Sequence, residues 1–138
     1  PMTALTPAET ALLGRARAAM ERAHAPHSGL RVGAAVRDED GHIHVGCNVE
    51  SDSFGLTLCA ERAAIAAMVA AGGHRVMAVA VVCDGDLLPW PCGACRQVLT
   101  EFAEDAPVLV ERVTGEFGRA TLAQLAPRAF RFRLSDTP

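Results

Sequence analysis

Residues 91–97 read Pro-Cys-Gly-Ala-Cys-Arg-Gln, so that Cys92 and Cys95 stand three positions apart immediately after a proline. Pro91 and Gly93 are typical of a loop that turns into a helix, which places both thiols at a helix N-terminus. The free N–H groups and the positive end of the helix dipole at such a terminus lower thiol pKa values. Because thiolate is the form of cysteine that binds metal, this stretch predicts a metal-binding or reactive site.

A second cysteine lies in a similar setting, in the stretch "TLCAERAAI" at residues 57–65. Cys59 and Glu61 fall at the predicted start of an apolar helix, so two helix N-termini can direct three thiols at one point. A structural zinc site usually has four protein ligands, whereas a catalytic site has three and leaves the fourth position for water. We therefore expect Cys59, Cys92 and Cys95 to hold a catalytic Zn²⁺.

Glu61 is the expected proton carrier, because it stands two residues from a zinc ligand and can lie beside the water without binding the metal. Zinc makes such a water acidic, and a carboxylate can pass its proton to a ring nitrogen or a leaving amine. A ligand-x-Glu followed later by Pro-Cys-x-x-Cys is the signature of zinc deaminases. The two motifs together predict hydrolytic chemistry.

Two other interpretations of the cysteines are open. Cys92 and Cys95 have the spacing of a redox dithiol, although the predicted order of elements is not that of a thioredoxin. A purely structural zinc site would lack a fourth ligand and would leave Glu61 without a role. The catalytic interpretation accounts for both motifs.

The rest of the chain predicts alternating helices and strands around one core. Thr6, Pro7 and Glu9 form a helix start with a capping hydroxyl, and the helix at 58–71 is apolar nearly all round, which predicts burial on more than one side. The order predicts an α/β protein, a three-layer α/β/α sandwich with a mixed five-stranded sheet, of one domain over 1–138. The predicted helices lie at about 6–24, 58–71, 97–102 and 121–126, and the strands at 32–37, 43–47, 76–83, 108–112 and 130–134.

Composition excludes several classes of partner. The formal net charge is -3 and aromatic residues make up 4%, which argues against a polymeric nucleic acid as partner. The apolar runs are too short to span a bilayer and the first residues do not resemble a signal peptide, so we expect no membrane association and a cytoplasmic location. Five cysteines in such a chain favour metal binding over a disulfide framework.

Taken together, these stretches resemble the small, homotetrameric cytidine deaminases of nucleoside salvage over nearly the whole chain. The resemblance implies a cytidine deaminase-like fold, one Zn²⁺ per subunit, and conversion of cytidine or deoxycytidine to the uridine product with release of ammonia. The matching stretches are "VGAAV" (32–36), "GCNVE" (46–50), "GLTLCAERAAI" (55–65), "PCGACRQVL" (91–99) and "LAPRAF" (125–130).

The resemblance also implies roles for individual residues. Asn48 and Glu50 match a pair that binds the ribose, and the Ala60 backbone matches a group that orients the base together with Glu61. Arg62 and Gln97 resemble donors to the cysteine sulfurs. Phe130 matches an aromatic residue that a neighbouring subunit places over the base, so that active sites would lie at subunit interfaces of a homotetramer. From pattern alone, capping a turn is the more usual role for Asn48 and Glu50, and Phe130 fits strand core equally well.

Several positions depart from the family pattern where the nucleoside is expected to bind. The family form Tyr-x-Pro-Tyr-Ser-x-Phe is here His24 to Leu30, with His27 at the second tyrosine, and Phe54 stands where tyrosine is common. Loss of the aromatic contact at Leu30 predicts a looser pocket. A deaminase of a modified cytosine nucleoside or a blasticidin S-type antibiotic is therefore an alternative, and a non-catalytic zinc-stabilised module a more remote one.

Overall fold

A computed structural model describes residues 4–132 of the chain. Helices and strands alternate along this part, and a short 3₁₀ turn covers Phe54–Leu56. None of these helices is long and apolar enough to cross a bilayer. The elements are α1 (Pro7–Met20), β1 (Val32–Asp38), β2 (Ile43–Cys47), α2 (Ala60–Ala70), β3 (Val76–Cys83), α3 (Gly93–Phe102), β4 (Pro107–Arg112), β5 (Phe117–Thr121) and α4 (Leu122–Leu125).

The strands form one mixed sheet in the order β2-β1-β3-β4-β5. β3 and β4 are parallel, and the other neighbouring pairs are antiparallel. Adjacent residues of β1 point to opposite faces, so Ala35 packs with α1 while Ala34 packs with α2 and α3. The predicted three-layer α/β/α sandwich with a mixed five-stranded sheet is confirmed.

The first helix begins as the sequence predicts and ends earlier. Thr6 Oγ1 accepts a hydrogen bond from the Glu9 N–H, and Glu9 Oε1 accepts one from the Thr6 N–H, which completes a capping box. α1 ends at Met20 and not at about His24, because the His24 backbone bonds elsewhere: its N–H donates to the Asn48 carbonyl, and its carbonyl accepts from the Glu50 N–H. The chain after α1 is thereby attached to the segment after β2.

A glycine allows α2 to lie directly on β2. A Cβ added at Gly46 would lie 2.4 Å from the Ala64 nitrogen and 2.6 Å from the Ala60 oxygen, both of which are backbone atoms of α2. Real side chains do not tolerate such distances, so only glycine permits this approach. The close packing sets the height of the first turn of α2 above the sheet.

The prediction that α2 is buried on more than one side is wrong for the single chain. One face of the helix packs in the core through Ala64, Ile65 and Met68. The opposite face, formed by Ala66, Ala67, Val69 and Ala70, is exposed although it is apolar. The helix therefore has more apolar surface than a single chain buries.

The fifth strand is not where the sequence predicts it. Residues 130–132 of the predicted strand 130–134 are not in a strand, and residues 133 and 134 lie outside the described residues. The fifth strand of the sheet is β5, which lies at the edge next to β4 and follows it through a tight turn in which the Gly115 N–H donates to the Arg112 carbonyl. Gly115 has φ +99°, a conformation that favours glycine.

Candidate active site

The three predicted zinc ligands come together at the starts of two neighbouring helices. Cys59 is the N-cap of α2, Cys92 is the N-cap of α3, and Cys95 lies in the first turn of α3. Their sulfur atoms all lie within 4.8 Å of one another. Both helices pack on the same face of the sheet, which is why residues 33 positions apart in sequence meet here.

The spacing of the thiols fits a tetrahedral zinc ion. The Sγ atoms of Cys59 and Cys92 are 3.7 Å apart. Two sulfur ligands at about 2.3 Å from one zinc in a tetrahedron are about 3.8 Å from each other. Cys95 is buried, Cys59 is half-buried and Cys92 is exposed, so the group is open on one side. Three thiols, an open side and helix N-termini are together suited to zinc with a free fourth position.

Hydrogen bonds favour the thiolate form at Cys59. Its pKa is lowered to about 5, first because the Cys95 thiol donates a hydrogen bond to its sulfur and then because the Arg62 guanidinium does so. The same bond raises the pKa of Cys95. Arg62 Nη2 lies 3.4 Å from Cys59 Sγ, as predicted for a donor to the sulfurs. The buried Arg62 Nε has no hydrogen-bond partner among residues 4–132.

Glu61 is buried beside the cysteines, with 5% of its surface exposed. Burial, and then the negative charge of the Cys59 thiolate, raise its pKa to about 7. Its place in the first turn of α2 puts it two residues from Cys59, in the position that the sequence predicts. A carboxyl group in this setting can both accept and release a proton near neutral pH.

The two residues after Cys95 hydrogen-bond to the loop before α3 and to the segment around 125–130. Gln97 was expected to donate to a cysteine sulfur, but its Nε2 donates to the Phe130 carbonyl at 2.8 Å and to Glu101 Oε2 at 3.3 Å. Arg96, which sequence analysis did not single out, donates from Nε to the Pro91 carbonyl at 2.6 Å and from Nη1 to the Leu125 carbonyl at 2.9 Å. Arg96 therefore shapes the loop that presents Cys92. Its position inside the cysteine motif was the only sequence signal.

Asn48 and Glu50 lie next to the start of α2. Val49 and Leu58 exchange two backbone hydrogen bonds in an isolated antiparallel bridge. In such a pair the flanking residues face each other, which sets Asn48 opposite Cys59 and Glu50 opposite Thr57. The predicted sugar-binding residues and the predicted metal ligands are therefore neighbours across one bridge.

Asn48 is buried, and both the oxygen and the nitrogen of its side-chain amide hydrogen-bond to the backbone. Its Oδ1 accepts from the Val32 N–H at 2.9 Å, and its Nδ2 donates to the Leu30 carbonyl at 2.8 Å. Only 8% of the residue is exposed. Each end retains one further site, since an amide oxygen has two lone pairs and an amide nitrogen two hydrogens. Asn48 thus sets the position of Leu30 as well as offering polar groups.

The Glu50 carboxylate is held by the segment before β1. Oε1 accepts from the backbone N–H groups of His27 and Ser28 at 2.8 Å and 3.1 Å, and Oε2 accepts from the Ser28 hydroxyl at 2.5 Å. The Ser28 hydroxyl is the main reason why the pKa of Glu50 is lowered. Glu50 therefore remains a fixed anion with unused acceptor positions.

A cleft of about 380 Å³ opens beside Glu50. The His27 ring meets the Phe54 ring edge-on, with centroids 5.2 Å apart. Leu30 is exposed near this region, and Ala60 is fully buried at the first turn of α2. The cleft is lined by His27, Ser28, Glu50, Phe54 and Thr57.

Phe130 stands apart from these groups within one chain. It is 68% exposed, and it borders a separate groove of about 560 Å³ with Gln97, Glu101, Arg131 and Phe132. The structure thus brings together Cys59, Cys92, Cys95, Glu61 and Arg62, with Asn48 and Glu50 across the bridge. Phe130 does not line the Glu50 cleft of its own chain.

Comparison with known proteins shows the family to which the chain belongs. The model of the cytidine and deoxycytidylate deaminase zinc-binding region matches residues 7–111. A cytidine deaminase of Sporosarcina psychrophila is 42% identical over 86% of this chain and 88% of its own. The crystal structure of a cytidine deaminase from Burkholderia pseudomallei superposes with a TM-score of 0.84 at 40% identity, over 91% of this chain and 100% of that one. A blasticidin-S deaminase of Bacillus cereus is 31% identical over 70% of this chain and 74% of its own. The chain belongs to the zinc-dependent cytidine and deoxycytidylate deaminase family.

Proposed function

We propose that this protein catalyses the hydrolytic deamination of cytidine and deoxycytidine to uridine and deoxyuridine, with release of ammonia. The observation that carries the proposal is the group of three converging thiols with the buried Glu61 carboxyl beside them. The similar proteins that are named cytidine deaminases support the same reaction. A zinc-stabilised module without turnover would have no use for a buried carboxyl beside an open metal position.

In the proposed reaction, Cys59, Cys92 and Cys95 hold zinc and Glu61 moves protons. When bound, zinc supplies a Lewis acid that makes a water molecule a better nucleophile. The water oxygen adds to C4 of cytosine, and the bond from C4 to the exocyclic nitrogen breaks. Glu61 takes one proton from the water and gives it to the ring nitrogen N3, where it stays. It then takes the second proton from the oxygen now bonded to C4 and gives it to the amine, so that a C4 carbonyl forms and ammonia leaves.

The residues around the cleft are proposed to bind the nucleoside. Glu50 and Asn48 have unused hydrogen-bonding positions that suit sugar hydroxyl groups. The Ala60 backbone would help Glu61 to orient the base, and Leu30 and Phe54 would supply apolar wall. Arg62 would offset the negative charge that three thiolates place on one zinc ion.

We also propose a homotetramer in which a neighbouring subunit completes each active site. Phe130 and Phe132 are exposed, and α2 has an exposed apolar face at Ala66, Ala67, Val69 and Ala70. Apolar surface of this kind favours an interface between copies. Gln97 holds the Phe130 carbonyl, which orients that segment for a neighbour. Free nucleosides as substrates suggest a role in pyrimidine salvage in the cytoplasm.

The altered cleft favours a second candidate within the same reaction class. His27, Leu30 and Phe54 differ from the family pattern, and a blasticidin-S deaminase is among the similar proteins. A modified cytosine nucleoside is therefore the alternative substrate. Retention of Asn48 and Glu50 favours a ribose-like sugar.

The loss of cytidine absorbance with purified protein tests the proposal. Deoxycytidine and blasticidin S are run beside cytidine, with zinc content and native mass measured on the same sample. We expect turnover of cytidine or deoxycytidine, loss of turnover after chelation, and recovery when zinc is restored. Fully zinc-loaded protein that turns over blasticidin S alone would favour the second candidate, and failure with every compound would refute the reaction.

A further inference from the structure

The cleft beside Glu50 carries negative charge, and no lysine or arginine among residues 4–132 lines it. Arg31, the next arginine along the chain, is already paired with Asp84 at 2.8 Å and with Glu21 at 3.2 Å. Among the described residues of this chain, the charge near the cleft is therefore that of Glu50 and of one acidic residue in contact with its wall.

That acidic residue is Asp52, which lies beside the cleft in contact with His27. Asp52 Oδ1 lies 3.0 Å from His27 Nε2, and the Asp52 side chain is fully exposed. The His27 ring also makes an edge-on contact with the Phe54 ring. Because the His27 backbone N–H also donates to Glu50, one residue links both carboxylates to the same cleft.

We propose that Asp52, acting beside Glu50, is a specificity-determining residue that selects cytosine nucleosides by the sign of the charge on their sugar. Neutral and cationic sugars are accepted, and sugars that carry a phosphate are rejected. The inference rests on the proposed deamination and deepens it, because it assigns the discrimination to one residue that needs no part in the chemistry. Asp52 is in water, so its effect is a several-fold change in selectivity that salt reduces.

Three substrates of similar size test the proposal: 5′-amino-5′-deoxycytidine, cytidine and cytidine 5′-monophosphate. Near neutral pH they are cationic, neutral and close to dianionic. Values of kcat/KM are measured for the wild type, Asp52→Asn and Asp52→Lys at about 20 mM and about 500 mM salt. Glu104→Lys is the matched control for Asp52→Lys, because both substitutions change the net charge equally. Glu104 is exposed and lies beyond the C-terminal end of α3.

For the wild type we expect kcat/KM to be highest for the 5′-amino compound, intermediate for cytidine and lowest for the monophosphate. Asp52→Asn should reduce the ratio of amine to monophosphate about threefold, and Asp52→Lys about tenfold or more, with both effects smaller at high salt. Glu104→Lys should leave the ratio unchanged. Equal ratios in the wild type and Asp52→Lys, or the same change in Glu104→Lys, would overturn the proposal.

Failure of this proposal can be distinguished from failure of the proposed reaction. Cytidine turnover by the wild type tests the reaction alone, whereas the ratio of the charged substrates tests Asp52. Calorimetric titration of the same three compounds into zinc-loaded protein measures the selection without turnover. If binding follows the sign of the charge and responds to Asp52→Lys, the proposal holds whatever the reaction is; if binding ignores the charge, it is wrong.

Discussion

Val49 and Leu58 each donate a backbone hydrogen bond to the other, with both N–O distances 2.9 Å. On one segment of the bridge, Val49 is flanked by Asn48 and Glu50. On the other segment, Leu58 is followed directly by Cys59. The bridge ends the strand-like stretch before α2, so that Cys59 becomes the N-cap and Glu61 enters the first turn. The proposed sugar-binding and metal-binding groups are thus fixed to each other by main-chain bonds.

Loss of a single converging thiol should remove zinc. We expect Cys59→Ser, Cys92→Ser and Cys95→Ser to lower the zinc content to a small fraction of the wild-type value, because two thiolates do not complete the set. Cys47→Ser is the control, since Cys47 lies at the end of β2 outside the group. The zinc content of each variant is measured by metal analysis after gel filtration. Full zinc content in any of the three variants would rule out that residue as a ligand.

Removal of the Arg62 guanidinium should weaken zinc binding without abolishing it. Arg62→Ala loses the donor 3.4 Å from Cys59 Sγ, which raises the thiol pKa and leaves the thiolate charge unbalanced. Competition with a chelator should show zinc affinity lower by about 10- to 100-fold. Arg15→Ala, at an exposed position of α1, should match the wild type. Equal affinity in Arg62→Ala and the wild type would show that the guanidinium does not support the metal.

The close contact at Gly46 predicts a position-dependent effect of alanine. Gly46→Ala should lower the free energy of unfolding by about 1–3 kcal/mol, because the added Cβ meets two backbone atoms of α2 that cannot move separately. Gly14→Ala should instead stabilise the protein by up to about 1 kcal/mol, since that position is helical and has open space. Urea unfolding of both variants is the measurement. A neutral Gly46→Ala would mean that α2 can move away from β2.

The convergence of the three cysteines could be anticipated from sequence because they lie in short motifs at helix starts. Thr6 with Glu9, and Cys92 with Cys95, carry local signals that the structure retains. The strand β5 was missed because its sequence, Phe-Gly-Arg-Ala-Thr, is short and has weak strand propensity, and pairing with β4 decides its structure. The alternating Phe130 and Phe132 resemble a strand, yet both are exposed.

The interactions around the site depend on tertiary contacts that no motif contains. Gln97 donates to the Phe130 carbonyl. Arg96 donates to the Pro91 carbonyl and to the carbonyl of Leu125, which lies 29 residues after Arg96. The three bonds from His27 and Ser28 to Glu50 cross 22 or 23 residues. Sequence patterns identify which residue types are present, whereas the fold decides which partner each donor reaches.

The ion pair between α1 and β5 predicts acid sensitivity. Arg119 donates from Nε and Nη2 to the two oxygens of Glu9, each at 2.8 Å, and this holds the pKa of Glu9 at about 2 against a usual 4.5. Because the folded pKa is the lower one, the stabilisation is present above about pH 4.5 and is lost as the pH falls towards 2. Glu9→Gln should therefore be less stable than the wild type by about 1 kcal/mol at neutral pH.

The quantity to measure is the difference in the free energy of unfolding between Glu9→Gln and the wild type, because acid also weakens zinc binding in both proteins. Urea unfolding at neutral pH and near pH 3 should show a smaller difference at the lower value. A difference that does not depend on pH would mean that the Glu9 charge contributes nothing and that only its hydrogen bonds matter.

Glu61→Gln tests the central claim most directly, because it removes the proposed proton carrier while keeping the size of the side chain. Zinc content and cytidine turnover are measured on the same preparation, with Glu104→Gln as an exposed control. We predict a full complement of zinc and a fall in kcat of about 10² to 10⁴. Zinc-loaded Glu61→Gln that deaminates cytidine at the wild-type rate would contradict the account.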